Sequence, residues 1–313
     1  ALSPNGRYVL YNKLLGTSDN ALWMLDLLTG EAVRVPADEK VSAEVNPTWR
    51  HDSAGFFLVT DRDSEYPYVA YYDVAAGAME KRFAFPWEVD NLALSADDRY
   101  LAMTVNEDSY LVLRIIDLAA GVEANFPQPP KGVVSNYDTL SWSPVGHKLL
   151  FSLSSGKRPE NIWLLDLDGD SLSPLTRSDL HGLSADDLCE PRLMHFTSFD
   201  GLEVPFWLYV PRGKEAKDLP VVVEIHGGPE GQEMASFTPF IQYLVGEGVA
   251  VAAPNVRGST GYGKTYSHLD DVEKRLDSVK DIGSLVEYLV REGIANSPVQ
   301  PVCLNCGAAP LIP

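Results

Sequence analysis

Hydrophobic and polar residues follow two different patterns along the chain, and the change falls near residue 180. Up to about residue 176, short apolar runs of strand length are separated by turns rich in Asn, Asp and Gly. Beyond that point, apolar runs bounded by glycine alternate with stretches whose apolar residues recur every three or four positions. The first pattern predicts an all-β domain, and the second predicts strands and helices in a parallel α/β sheet.

One element recurs four times in the first part: a strand that ends in aspartate and runs into a glycine turn. The copies read LWMLDLLTG, AYYDVAAG, RIIDLAAG and IWLLDLDG, and their aspartates are Asp26, Asp73, Asp117 and Asp166. Successive aspartates are 44 to 49 residues apart. Repeats of this length built from short strands are typical of β-propeller blades. We therefore predict a partial propeller of about four blades over residues 1–182, in which the aspartates cap turns.

Residues 183–313 are predicted to hold the start of a second domain. Arg192 to Phe196 and Leu202 to Val210 indicate a β-hairpin, and Val221 to Ile225 is a short β-branched run suited to a buried parallel strand. A helical stretch and a strand from Val249 to Ala253 follow. A later apolar stripe predicts a second helix, with Ser278 as its N-cap. The stripe consists of Val279, Ile282, Leu285, Val286, Leu289 and Val290.

A glycine turn follows each of the two predicted parallel strands, where functional loops of such sheets lie. The first is His226-Gly227-Gly228-Pro229, and the second is the segment NVRGSTGYG from residue 255. Adjacent glycines let backbone N–H groups point into a site, as in the oxyanion hole of an acyl-transfer enzyme. Gly228 and Gly227 are therefore the candidate oxyanion donors, and His226 is predicted to brace the loop. A tight turn without chemistry is the alternative.

Three segments together resemble a known family. VVVEIHGGPEGQ, AAPNVRGSTGYGKTY and SVKDIGSLVEYLVREGI look like the start of the catalytic domain of prolyl oligopeptidase family serine peptidases, in the acylaminoacyl-peptidase and dipeptidyl-peptidase branch. The resemblance implies a β-propeller that caps an α/β-hydrolase domain and admits short peptides. It assigns the oxyanion donor to Gly228 and loop support to Arg257, Gly258 and Tyr262. That family has seven or eight blades, and its catalytic Asp and His follow the nucleophile, so the chain is expected to be truncated at both ends.

The nucleophile expected in this fold is not found. An α/β-hydrolase carries its serine in a G-x-S-x-G elbow, whereas the sequence from Val302 reads VCLNCGAAPLIP. Ala308 stands where the nucleophile would fall. Ser259 and Cys306 are weak substitutes, because neither is expected to have a histidine or aspartate in a triad-like relation. Cys303 and Cys306 have the spacing of a metal or redox site but lack a second ligand pair. We predict no catalytic triad, no metal and no cofactor.

Two functions therefore remain open. The chain is either part of a serine peptidase for short oligopeptides or N-acylated peptides, inactive alone, or a non-catalytic propeller scaffold with a residual hydrolase half. The paired glycine loops favour the first, and the missing triad favours the second. The truncated blade faces are also expected to promote self-association.

The composition argues against two classes of binding partner and bears on the location of the protein. A net charge of −19 argues against nucleic acid and anionic membrane surfaces, which require clusters of Lys and Arg. No apolar run approaches the length of a membrane span. Three cysteines cannot form a disulfide framework, which favours a cytoplasmic location. The chain does not begin with Met, so a lost N-terminal signal stays open.

Overall fold

The computed structural model describes residues 1–16, 20–38, 40, 42–135, 140–228, 230–296 and 300–303. These residues divide into two compact units. The first comprises Ala1–Leu153 with Asn161–Thr176, and the second comprises Ser154–Glu160 with Arg177–Pro313. No helix in the described part is long and apolar enough to cross a membrane.

The first unit consists of successive antiparallel sheets, as the repeat predicts. The first sheet contains β1 (Tyr8–Leu14), β2 (Asn20–Asp26) and β3 (Ala32–Val35). The second contains β4 (Glu44–Trp49), β5 (Gly55–Thr60), β6 (Tyr68–Asp73) and β7 (Ala78–Phe83). The third contains β8 (Glu88–Leu94), β9 (Tyr100–Glu107), β10 (Tyr110–Asp117) and β11 (Val122–Glu123). The fourth contains β12 (Val133–Val134), β13 (Ser141–Trp142), β14 (Lys148–Ser155), β15 (Arg158–Asp166) and β16 (Ser171–Pro174).

Alternation along the strands packs each sheet against the next. On β5, Phe56 and Leu58 are buried against side chains of the first sheet, whereas Phe57 and Val59 are buried against the third. Because successive side chains of a strand point to opposite faces, one continuous apolar run fills two cores. The inner strands of such a stack are therefore apolar on both faces, which explains the unbroken run GFFLVT in β5.

The predicted turn-capping role of the four recurring aspartates is confirmed. Each carboxyl group accepts a backbone N–H in the turn that follows its strand; these bonds are 2.8 to 3.0 Å long. Asp26 also pairs with Arg7, and Asp117 pairs with Arg99 at the equivalent position two sheets later. The repeat is thus a repeat of turn geometry as well as of strand length.

The second unit is built on one mixed sheet in the order β17-β18-β20-β19-β21. Its strands are β17 (Arg192–Thr197), β18 (Glu203–Tyr209), β19 (Val221–Ile225), β20 (Ala250–Pro254) and β21 (Gln300–Cys303). The predicted hairpin is the antiparallel pair β17 and β18, and β19 pairs in parallel with both β20 and β21. The helices are α1 (Pro239–Gly246), α2 (Lys264–Ser267) and α3 (Arg275–Arg291), with short 3₁₀ turns at Ala185–Asp187 and Val272–Lys274.

The helix α3 covers the sheet with only part of its predicted stripe. Leu285 and Leu289 are fully buried against the strands, whereas Val279 and Val290 are 40% and 46% exposed. The predicted N-cap is wrong. The helix begins at Arg275, and the buried Ser278 lies within its first turn and donates its hydroxyl to the Arg275 carbonyl. A serine in this back-bonded position satisfies its own hydroxyl without capping the helix.

Candidate functional site

The first glycine turn lies at the carboxyl end of β19. Gly228 has a φ of +140°, and a Cβ there would lie 2.6 Å from the Glu230 nitrogen. Only glycine fits this backbone. Gly228 is exposed, and no described residue accepts a hydrogen bond from its N–H or from that of Gly227. Two adjacent backbone donors are therefore presented at the edge where a parallel sheet places its functional loops. Pro229 lies outside the described residues.

His226 connects the two glycine loops. Its Nε2 atom lies 2.9 Å from Ser259 Oγ, and its Nδ1 atom lies 3.0 Å from the carbonyl oxygen of Gly227. Burial lowers the pKa of the imidazole. The ring is therefore neutral near pH 7 and has a single N–H, which it donates either to the Ser259 hydroxyl oxygen or to the Gly227 carbonyl.

Ser259 corrects one sequence prediction. We expected no histidine in a triad-like relation to this serine, and His226 is in hydrogen-bond contact with it. The geometry still does not make a nucleophile. Ser259 is fully buried, and its hydroxyl donates to the carbonyl of Val256 at 2.6 Å. The other ring nitrogen of His226 faces a carbonyl group where a triad would have a carboxylate.

The guanidinium group of Arg257 is held in place by hydrogen bonds to two carboxylates. Its guanidinium makes two hydrogen bonds of 2.8 and 2.9 Å to Asp281 on α3 and two of the same lengths to Asp200 in the β17–β18 turn. Asp281 also accepts the Arg257 backbone N–H and, at 2.5 Å, the hydroxyl of Ser198. These bonds raise the pKa of Arg257 and lower the pKa of Asp200 to about 2. The sequence pattern suggested a helix cap for Asp281 and a hairpin turn for Asp200, but no contact of either acid with Arg257.

Glycines 258 and 261 let other side chains approach the second loop. Both have a φ of +91°, and a Cβ at Gly258 would overlap the carboxyl group of Asp270. At Gly261 it would overlap the side-chain amide of Gln232, which belongs to the first loop. The glycines thus serve close packing between loops as well as their own turns.

Asn255 and Tyr262 complete the link between the loops. The Asn255 Oδ1 atom accepts the backbone N–H of Glu233 at 2.6 Å, and Nδ2 donates to the Glu233 carbonyl at 3.0 Å. The Tyr262 hydroxyl lies 3.3 Å from Nδ2, and the Tyr262 ring lies 5.4 Å from that of Tyr266. The sequence indicated Tyr262 but not Asn255; the only available signal was that Asn255 opens the loop after a buried strand.

The site where a nucleophile was expected is described only up to Cys303. Residues 300–303 form β21, parallel to β19. The candidates Cys306 and Ala308 lie outside the described residues. Within the described part, no three His, Cys, Asp or Glu side chains come together as a cation site.

The similarities to known proteins fall on the same segments. Residues 235–299 match the model of the prolyl oligopeptidase family. The chain is 28% identical over 108 residues to dipeptidyl aminopeptidase BIII of Pseudoxanthomonas mexicana, a match covering 32% of this chain and 16% of that protein. It is 37% identical over 76 residues to dipeptidyl peptidase family member 6 of Caenorhabditis elegans, covering 24% and 10% respectively.

The fold is shared over a longer stretch. Prolyl oligopeptidase B from Galerina marginata, solved with a 35-residue hydrolysis and macrocyclization substrate, superimposes with a TM-score of 0.83 and 17% identity. The match covers 96% of this chain and 43% of that one. The chain thus spans less than half the length of its relatives. The predicted fold class, a partial β-propeller followed by the first part of an α/β-hydrolase domain, is confirmed. Residues 235–299 are thus similar to the prolyl oligopeptidase family, and the resemblance to it that the sequence predicted is confirmed.

Proposed function

We propose that this chain carries the propeller-side and oxyanion-side parts of a serine peptidase that hydrolyses short oligopeptides or N-acylated peptides. The observation that carries the proposal is Gly228: the residue is exposed, its N–H is unbonded among the described residues, and its backbone has a conformation open only to glycine. A donor fixed in this way stabilises the negative charge that develops on the carbonyl oxygen during acyl transfer. Gly227 is the second candidate donor.

The residues around Gly228 support it as a rigid frame. His226 bonds to the second loop through Ser259, and Arg257 fixes that loop to α3 through Asp281. Gly258 leaves room for the Asp270 carboxyl group beside the second loop, and the Tyr262 hydroxyl contacts Asn255 at the start of that loop. Oxyanion donors are effective because they are oriented before the reaction begins, so this bracing has a direct catalytic purpose.

Peptides are the proposed substrates because the related proteins are named for them. The relatives include two dipeptidyl peptidases by name, and the solved neighbour holds a peptide substrate. We propose that the propeller occupies residues 1–182 and the hydrolase part 183–313, and that the protein acts in the cytoplasm without a cofactor.

We further propose that residues 1–313 do not turn over substrate by themselves. The printed sequence has no G-x-S-x-G elbow, and Ser259 is buried and already bonded. Loss of nucleophile and base costs on the order of a millionfold in rate. A scaffold function is the second candidate, favoured by the same missing elbow.

A chimera tests the peptidase proposal. Residues from 297 onward are replaced by the corresponding segment of dipeptidyl aminopeptidase BIII, and the product is treated with a fluorophosphonate probe and assayed on dipeptide substrates. Labelling and turnover are expected in the chimera, and neither in the original chain. A folded chimera that is labelled but never turns over peptides would mean that the oxyanion side is not functional, and would favour the scaffold.

A further inference from the structure

His147 joins the third and fourth sheets of the first unit. It lies in the turn between β13 and β14, and a carboxylate faces each nitrogen of its ring. The Nε2 atom lies 3.0 Å from Oδ2 of Asp97, in the β8–β9 turn of the third sheet. The Nδ1 atom lies 2.7 Å from Oδ1 of Asp168, in the β15–β16 turn of the fourth sheet. The side chain of His147 is only 16% exposed.

The two contacts together determine how many protons the ring carries. Both aspartate side chains are more than half exposed and stay ionised near neutral pH, and an ionised carboxylate only accepts hydrogen bonds. A neutral imidazole has a single N–H, so it can donate to one aspartate while its bare nitrogen faces the charge of the other. Both contacts are hydrogen bonds only when the ring carries two protons. The geometry is therefore that of an imidazolium between two carboxylates.

The electrostatics of the three groups favour the same state. The hydrogen bonds to Asp168 and then Asp97 raise the pKa of His147. The bond from His147 in turn lowers the pKa of Asp168. Partial burial opposes ionisation of Asp97, but the hydrogen bonds from His147 and Ser95 outweigh it and lower the pKa of that carboxyl group. The charged ring and the two carboxylates thus stabilise one another.

The other charged or titratable groups around the ring do not titrate near neutral pH. Arg99 pairs with Asp117 at 3.1 Å, and Lys148 pairs with Asp166 at 3.4 Å. The Tyr100 ring packs edge-on against the imidazole, with ring centroids 4.8 Å apart, and burial raises the pKa of its hydroxyl. That hydroxyl therefore stays neutral while the histidine titrates. Within the described residues of this cluster, His147 is the group whose charge changes near neutral pH.

The corresponding turns of the earlier sheets are also in contact. The Asn5 N–H, just before β1, donates to Ser53 Oγ in the β4–β5 turn at 3.1 Å. In the same β4–β5 turn, the Nδ1 atom of His51 lies 2.6 Å from Asp98 of the third sheet. This bond needs one N–H, which a neutral ring still supplies. Among the described histidines, His147 is thus the one with a carboxylate at both ring nitrogens.

An apolar core connects the third and fourth sheets independently of these turns. Leu113 and Ile115 of β10 belong to the same buried cluster as Leu149 and Phe151 of β14. Burial of apolar side chains involves no ionisable group, so the core holds the sheets together whatever the charge of His147. A change at His147 can therefore loosen the turns without separating the sheets.

We propose that His147 is a pH-dependent clasp between two blades: when charged it ties Asp97 to Asp168, and when neutral it releases one of them and frees the turns. The proton passes to solvent, and the remaining N–H keeps one bond. The clasp lies within the first unit and does not depend on the proposed peptidase function.

The direction of the pH dependence follows from linkage. The folded chain binds the His147 proton more tightly than the unfolded chain, because the pKa is raised on folding. The stabilisation is therefore complete below the unfolded-state pKa of about 6.5 and is lost as the pH rises through the raised value. The aspartates set the lower limit, since their contribution is lost as the pH falls from about 3.9 towards their lowered pKa values.

The experiment follows the ring and the turn separately in the chain of 313 residues. NMR spectra of protein labelled with nitrogen-15 in its histidines report how many protons each ring carries between about pH 5 and pH 9. Hydrogen–deuterium exchange, corrected for the intrinsic effect of pH, follows a peptide spanning residues 143–148. The variants are His147→Gln, Asp97→Asn and, as a matched control in the corresponding turn of the second sheet, His51→Gln.

In the wild type, the His147 ring should carry two protons at about pH 6, and exchange of the turn should rise by up to about tenfold per pH unit as the ring loses its proton. His147→Gln should exchange at the fast alkaline rate at every pH, because its single nitrogen reaches one aspartate only. Asp97→Asn should keep the turn protected at every pH, because an amide can accept from a charged ring and donate to a neutral one. His51→Gln should behave as wild type.

A neutral His147 ring at about pH 6 in the wild type would overturn the charged bridge. A ring that titrates while exchange of the turn stays constant would overturn the clasp. Loss of the pH dependence in His51→Gln would overturn the assignment to His147. Should His147→Gln fail to fold, the wild-type titration and Asp97→Asn still decide. None of these measurements requires activity, so failure of the proposed peptidase function cannot be mistaken for failure of the clasp.

Discussion

The Nε2 atom of His226 lies 2.9 Å from the Oγ atom of Ser259, which joins the HGGP turn to the loop that follows the neighbouring strand. The two residues are 33 positions apart in the sequence and meet because β19 and β20 are parallel neighbours. The pair resembles two members of a catalytic triad, yet the serine is buried and its hydroxyl already donates to Val256. It is a structural tie between two loops.

The first prediction is that residues 1–313 show no peptidase or esterase turnover above background. Ser259 has a histidine partner but no exposure to substrate and no carboxylate behind the histidine. A fluorophosphonate probe on the purified chain checks this, with phenylmethyl ester hydrolysis as a second readout. Stoichiometric labelling that disappears in Ser259→Ala would contradict it.

The second prediction concerns Gly228 in the chimera with a complete catalytic segment. Gly228→Val should reduce turnover by an amount equivalent to about 2–4 kcal/mol of transition-state stabilisation, and should change substrate binding less. A side chain there collides with the backbone at Glu230 and displaces the N–H. Steady-state kinetics on a dipeptide substrate give kcat and KM separately.

Gly283→Val is the control for the second prediction, because a Cβ at this position on α3 meets no other atom within 4 Å. It should leave kcat unchanged. If Gly228→Val raised KM alone, the oxyanion donor would have to be assigned to another residue.

The third prediction compares the two acids that hold Arg257. Asp281→Ala should reduce the free energy of unfolding by about 3–5 kcal/mol, because Asp281 is fully buried and its loss leaves a buried guanidinium half unpaired. Asp200→Ala should cost only about 0–1 kcal/mol, since its side chain is 42% exposed and solvent screens the pair. Urea denaturation of both variants measures the difference. Equal losses would mean that burial does not decide the strength of these pairs.

The fourth prediction is a pH dependence from Asp200. Its pKa is lowered to about 2 by hydrogen bonds from Arg257, so the folded chain binds a proton there less readily than the unfolded chain. The stabilisation is therefore present above the unfolded-state pKa of about 3.9 and is lost as the pH falls towards 2. Between pH 5 and pH 2, the free energy of unfolding measured from unfolding curves should fall less in Asp200→Asn than in the wild type. If the free energy of unfolding fell equally with pH in both proteins, the Asp200–Arg257 pair would not contribute to this pH dependence.

The fifth prediction is self-association despite the net charge of −19. Leu14 is 82% exposed at the end of β1, and Val33 of β3 is 45% exposed. Among the described residues β3 pairs with β2 alone, and β1 is paired on its other side only near its start, by a bridge between Val9 and Leu2. Unpaired edges and exposed apolar side chains recruit other chains. Light scattering should show association that Leu14→Lys reduces. Val145→Lys, in an equally exposed turn, is the control.

A monodisperse monomer with one cooperative melting transition above about 50 °C, within the ordinary range for mesophilic domains, would contradict the fifth prediction. It would show that the sheets of the first unit are stable without further partners. The scaffold function would then gain over the peptidase fragment.

The sequence by itself determined the features that depend on neighbouring residues. The four blades were predictable because strand alternation and aspartate-capped turns are local and repeat every 44 to 49 residues. The two glycine loops were predictable because a positive φ restricts the residue at that position regardless of distant contacts. The start of α3 was predicted wrongly: Ser278 has the chemistry of a cap, but its hydroxyl found a carbonyl within the helix.

Only the tertiary structure decided which side chains meet. The pairs His226 with Ser259 and Arg257 with Asp281 are set by strand order and by where α3 lies on the sheet. Neither pair could be predicted from a periodic pattern of apolar residues, because every partner is a polar side chain. Burying such a side chain is costly unless the other member of the pair is there to bond with it. A buried polar group must find a partner, and folding, which brings distant residues together, determines which partner that is.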